Sequence, residues 1–114
     1  MSVLSVQVTN AVYGRPADGI PVRVYQRLYD AWESGWAETG AHRTDVHGRL
    51  AVSLDGDDET LTRIDLDVDA YFATLGVAPA YPVIMLVFRA TGQRATSRVC
   101  LLVSPSVYVT SLEV

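Results

Sequence analysis

The sequence predicts an all-β fold: a two-sheet Greek-key sandwich of about eight strands with one short helix. Three observations carry that expectation. Apolar residues recur with period two along most of the chain, which marks strands that bury one face. The candidate strands follow one another at intervals of about 8–15 residues, separated by Gly, Pro and Asp clusters. Only one stretch, Asp69–Gly76, carries helix-capping signals. At 114 residues, 49% of them hydrophobic, the chain has material for one buried core, and residues 1–114 read as a single domain without repeat or linker.

The elements follow in order. Leu4–Thr9 alternates, with Leu4, Val6 and Val8 on one face and Gln7 on the other. Tyr13–Gly19 is a loop by its Gly and Pro content. Ile20–Leu28 is a second strand, with Val22 and Val24 facing opposite to Arg23 and Tyr25. Asp30–Thr39, with Trp32 and Trp36, is a short strand or an irregular edge. Asp45–Gly48 forms a turn before a strand at Arg49–Leu54, and Asp55–Glu59 is an acidic solvated loop. Ile64–Asp69 alternates strictly and ends on Asp69, placed to cap a helix over Ala70–Leu75 that Gly76 closes. The apolar runs Val83–Phe88 and Arg98–Val103 read as central strands, and Val107–Leu112 is the last.

Composition excludes several functions. The net charge is −4, all nine cations are arginine, and there is no basic block, which argues against a nucleic-acid surface. Without lysine there is no Schiff-base chemistry. The single cysteine, Cys100, excludes an internal disulfide or a thiolate zinc cluster. No apolar run approaches the roughly 20 residues of a membrane helix. No secretory signal is visible at Met1–Leu4, so a cytoplasmic protein without membrane contact is expected.

Residue chemistry alone leaves the site open. His42 and His47 flank Asp45 in what reads as a loop, either as part of a metal site or as solvated turn residues, and the second reading is preferred. Cys100, in an apolar strand, reads as a small buried hydrophobe. Asp65, Asp67 and Asp69 share a strand face, which is either a carboxylate cluster or a solvated side ending in a helix cap; the latter is preferred. No metal or cofactor is expected.

Longer segments point further. Leu4-Ser5-Val6-Gln7-Val8 followed by Gly14-Arg15-Pro16-Ala17-Asp18-Gly19-Ile20-Pro21-Val22 resembles the opening of the transthyretin and 5-hydroxyisourate hydrolase family, with its LSTHVLD-type strand and GxPAxGVPV-type segment. Thr44-Asp45-Val46-His47-Gly48-Arg49 is similar to the family's TNxDGR turn. Asp69–Gly76 with Tyr81-Pro82 resembles TGxYFxxxG and FYP, and Arg98–Pro105 resembles HVPLLLSP. The resemblance spans nearly the whole chain and implies a transthyretin-like sandwich. It also implies a homotetramer whose channels, between subunits, are lined by the first strand, the arginine turn and the final strands. The hydrolase members open the ring of 5-hydroxyisourate without a cofactor, using histidines and an arginine.

Carried over position by position, most of that chemistry is replaced. The first-strand histidine is Gln7, the later one is Arg98, the residue two before it is Thr96, and the tail tyrosine position is Ser111; Arg49 remains. Glutamine does not exchange protons and arginine does not release one at neutral pH, so the family's acid–base pair is missing. General acid–base assistance is worth about 10²–10⁴-fold, so hydroxyisourate hydrolysis is expected to be severely impaired. Gln7, Arg49, Arg98 and Ser111 are instead the expected ligand contacts, with two arginines forming an anion pocket. The competing role for Arg98 is to pair with Glu113. His47 and Tyr108 complete the catalytic candidates, His47 because imidazole is the usual acid–base side chain of neutral-pH chemistry and Tyr108 as a hydroxyl near the pocket. The expectation is a repurposed enzyme that binds and transforms a small anionic heterocyclic or carbonyl metabolite, by a cyclisation or rearrangement in a biosynthetic pathway. The alternatives are a small-molecule carrier and, last, a genuine hydroxyisourate hydrolase.

Overall fold

The computed structural model describes residues 2–28, 35–54, 60–89 and 96–113, with the side chain of Leu28 aside. The acidic segment Asp55–Glu59 and the position of Trp32 lie outside the described residues. In chain order the elements are β1 (Ser2–Asn10), β2 (Arg15–Pro16), β3 (Pro21–Leu28), β4 (Ala37–Arg43), β5 (Arg49–Leu54), β6 (Thr60–Asp67), α1 (Val68–Ala73), β7 (Val83–Arg89), β8 (Thr96–Val103) and β9 (Tyr108–Glu113).

Two sheets result. In the first, β1 is central: it pairs in parallel with β8 on one side and antiparallel with β5 and the two-residue β2 on the other, and β9 extends the sheet beyond β8. The second sheet has the order β4-β3-β6-β7, antiparallel throughout, so Val83–Phe88 lies at its end and not centrally as its apolar run predicts, with Val83, Met85 and Val87 about half exposed. Period two decides which residues meet between them. Leu4, Val6, Val8, Val99, Leu101 and Val103 turn inward from the first sheet, against Val22, Val24, Ile64, Leu66 and Ile84 from the second, all essentially without solvent contact. Each such side chain contributes roughly 1.5–3 kcal/mol of transfer free energy, so the inward phase of every strand is strongly specified.

The helix starts two residues earlier than the sequence predicts. Its N-cap is Asp67, not Asp69: the Asp67 carboxylate accepts the Ala70 N–H at 3.0 Å, the reach a cap makes to the third helical residue. Asp69 instead lies in the first turn, where negative charge favours the helix dipole. Gly76 does close the helix, with N–H groups of Gly76 and Val77 donating to the carbonyls of Ala73 and Phe72, both at 3.0 Å. Asn10, fully buried, donates to the Tyr71 hydroxyl at 3.0 Å and ties α1 to the end of β1.

His42 also departs from expectation. It belongs to β4, opposite Val22, and not to the loop that carries His47. The three aspartates do not share one strand face: Asp65 forms a two-pronged pair with Arg63 at 2.8 and 2.7 Å, Asp67 is spent on the cap, and Asp69 belongs to α1.

Candidate functional site

The turn before β5 is built to hold Arg49 in place. Thr44, buried, accepts the Ile20 N–H at 2.9 Å and donates its hydroxyl to the Ala17 carbonyl at 2.7 Å, clamping the turn to the loop before β3. Asp45 accepts the backbone N–H groups of His47 (2.8 Å) and Arg49 (3.0 Å) through one carboxylate oxygen. Those two donors, Arg49 first, hold the Asp45 carboxyl below the ordinary carboxylate range. Gly48 follows at φ 72°, and its carbonyl accepts the Val8 N–H at 2.8 Å. A Cβ at Gly48 would stand 2.3 Å from the Val8 carbonyl oxygen, so only glycine lets the turn lie this close to β1.

Register then carries Arg49 across the sheet. Gln7 is opposite Arg49, Cys100 is opposite Gln7, and Ser111 is opposite Cys100. Their strand neighbours Leu50, Val6, Val8, Val99 and Leu101 are buried in the core, so these four side chains lie on the outer face of the first sheet. They form one straight row, Arg49–Gln7–Cys100–Ser111. The next row is Ala51–Ser5–Arg98–Glu113, and on the other side Thr9, Leu102 and Val109 are aligned. A concavity of about 300 Å³ lies over the face, lined by Gln7, Thr9, Cys100, Leu102, Val109 and Ser111.

The structure thus brings Gln7, Arg49, Arg98 and Ser111 onto one face. It separates Tyr108 from them. Tyr108 is opposite Val103, which faces the core, and it packs edge-on against Tyr81 with ring centroids 5.6 Å apart. A hydroxyl turned to the other side of the sheet has no access to the row. His47 is exposed at the tip of the turn and stands in no row; what it contributes is a backbone N–H to Asp45. Arg98 approaches Glu113 at 3.9 Å, the competing pairing that the sequence allowed.

Cys100 is the residue that sequence reasoning missed. It is half-buried on the outer face, not a core side chain. Arg98–Val103 is apolar almost throughout, so period two gives no phase there; the polar residues opposite it, Gln7 and Ser111, reveal its face only once the pairing is known.

Electrostatically the two sheets differ. On the outer face of the second, Arg63 is paired with Asp65 and lies over the Tyr25 ring at 4.5 Å, and Arg23 approaches Glu38 at 3.6 Å. On the first, the Arg49 guanidinium forms no hydrogen bond or ion pair among the described residues, although its charge contributes weakly to holding the Asp45 carboxyl low. Among those residues no three His, Cys, Asp or Glu side chains come together as a metal site.

A two-sheet sandwich of this strand order, with an arginine turn opening onto its outer face, is a transthyretin-like β-sandwich. The chain matches the HIUase/Transthyretin family over residues 4–111 and belongs to that family. Among solved structures it is similar to transthyretin from Sparus aurata, with a TM-score of 0.82 and 28% identity over 96% of this chain and 95% of that one. It is equally similar to sea bream transthyretin in complex with thyroxine, with a TM-score of 0.82 and 29% identity over 97% and 94% of the two chains.

Proposed function

We propose that the outer face of the first sheet binds a small anionic heterocyclic or carbonyl metabolite, with Arg49 holding the negative charge, and that this protein transforms it by orientation and charge stabilisation. The observation that carries the reading is the unpaired Arg49 guanidinium at the head of the row Gln7–Cys100–Ser111, beside a 300 Å³ concavity. Arginine offers a fixed fork of donors to a carboxylate or enolate, and gains strength where water is excluded. The thyroxine complex of the sea bream relative supports small-ligand binding as a property of this fold.

Assembly into a homotetramer would exclude that water. Among the described residues β7 and β9 each pair along one edge only, and Val83, Met85, Val87 and Leu112 remain about half exposed there. Apolar edges of this kind favour pairing with a second copy, which would bring two outer faces into one channel.

The missing acid–base pair argues against ordinary hydroxyisourate hydrolysis: none of Gln7, Arg49, Arg98 or Ser111 exchanges protons readily at neutral pH. A carrier is the second reading, and the turn of Tyr108 to the core side of the sheet, away from the face, favours it, because one candidate proton donor is lost. The test follows hydroxyisourate, freshly generated by urate oxidation, and in parallel the binding of 8-anilinonaphthalene-1-sulfonate. No acceleration of the first and saturable binding of the second, weakened tenfold or more by Arg49→Gln, are expected. Acceleration well above the spontaneous rate would restore the hydrolase reading, and binding indifferent to Arg49→Gln would refute the anion site.

A further inference from the structure

We infer that Glu113 sets the ligand specificity of this face: its carboxylate occupies Arg98, so the face accepts molecules with a single anionic group. This rests on the reading of the face given above and names the substrate class more narrowly. The charged outer-face residues are Arg49 in one row and Arg98 and Glu113 in the next. Arg98 and Glu113 are directly opposite each other, and their charged atoms are 3.9 Å apart. Among the described residues the Arg49 guanidinium forms no ion pair or hydrogen bond; the Asp45 carboxylate feels its charge only as the smallest of the influences on it. The face therefore presents one open cation, not two.

Sheet geometry fixes the consequences. With strands about 4.8 Å apart and a rise of about 3.4 Å per residue, the Cβ atoms of Arg49 and Arg98 are about 12 Å apart. A ligand seated on Arg49 could reach Arg98 only with a second anionic group, and that group would meet Glu113 at the same guanidinium. Like charges about 4 Å apart in water disfavour the complex about fivefold, and more where the face is covered. By the same spacing Glu113 is about 16 Å from Arg49, beyond the Debye length of about 8 Å at physiological salt, so it leaves the first anionic group untouched. On the other flank Leu102 and Val109, 49% and 60% exposed, offer apolar surface. The fitting ligand is a monoanion whose neutral body lies over Cys100 and extends toward those two side chains.

The ion pair is exposed on both sides, with side chains 59% and 63% accessible, so it contributes little to folding and can be removed without unfolding the chain. The experiment compares naphthalene-1-sulfonate with naphthalene-1,5-disulfonate by calorimetry in the wild type, Glu113→Gln, Arg98→Gln, the double variant and Arg49→Gln. Glu113→Gln should tighten the disulfonate about fivefold and change the monosulfonate less than twofold. Adding Arg98→Gln should abolish that gain. A disulfonate-to-monosulfonate ratio unmoved by Glu113→Gln overturns the inference while leaving the Arg49 site intact. Monosulfonate binding that is unmeasurable, or indifferent to Arg49→Gln, overturns the site itself.

Discussion

Gly48→Ala tests whether the turn that presents Arg49 is held by close backbone approach. Two costs add. The first is the positive φ of 72°, which an L-residue adopts at about 1–2 kcal/mol, partly offset by a loss of unfolded-state freedom of about 0.4–1 kcal/mol. The second is contact: a Cβ 2.3 Å from the Val8 carbonyl oxygen cannot stay, and that oxygen accepts the Ala17 N–H while the Val8 N–H donates to Gly48 itself. Separating the turn from β1 leaves buried backbone groups without partners, at about 1–3 kcal/mol each. The total for Gly48→Ala is roughly 3–5 kcal/mol, a large part of the stability of a domain this size. Gly19→Ala is the matched control, because Gly19 has φ 79° but nothing within 4 Å of its added Cβ. It should cost only about 1 kcal/mol. Urea denaturation of both variants measures the difference directly. If Gly48→Ala lies within about 1 kcal/mol of Gly19→Ala, the close approach does not hold the turn, and the account of how Arg49 is positioned fails.

Two further expectations concern the same turn. Thr44→Val leaves the Ile20 N–H and the Ala17 carbonyl unpaired and should destabilise by about 2–4 kcal/mol in urea denaturation, whereas Thr44→Ser should retain most of the stability. The Asp45 carboxyl is lowered in the folded protein by its backbone donors, so its contribution is complete above the unfolded-state carboxylate range and is lost as pH falls through the folded value. The urea midpoint of the wild type should therefore fall on acidification below the ordinary carboxylate range more steeply than that of Asp45→Asn; parallel profiles would contradict the assignment.

How much of this was legible beforehand depends on what each signal encodes. Period two revealed the strands and which residues point inward wherever polar and apolar residues alternate, as in Leu4–Thr9 and Ile64–Asp67. It failed in two kinds of place. Where both phases are apolar, as in Val99–Val103, the outward face cannot be distinguished, and Cys100 passes for a core residue. Where a residue's partner lies far along the chain, face membership depends on register: Tyr108 resembles a site residue until its pairing with Val103 turns it away. The cap shows a smaller failure, because Asp67 and Asp69 are both plausible and only the Ala70 N–H chooses. Arg49, Gln7 and Ser111 were found through resemblance, and their alignment in one row needed three strand pairings that no local pattern contains.

The row also limits the chemistry that the face can perform. Arginine is a cation at neutral pH, and Arg49 sits on a backbone fixed by Thr44, Asp45 and Gly48. Gln7 and Ser111 add neutral donors and acceptors to that row. Such a constellation stabilises negative charge that develops on a bound molecule far better than it moves protons to or from it. Reactions that redistribute charge within the ligand fit it, and so does simple retention of an anion. The two separate on one point: in Arg49→Gln a catalyst loses kcat as well as affinity, because the interaction grows in the transition state, whereas a carrier loses affinity alone.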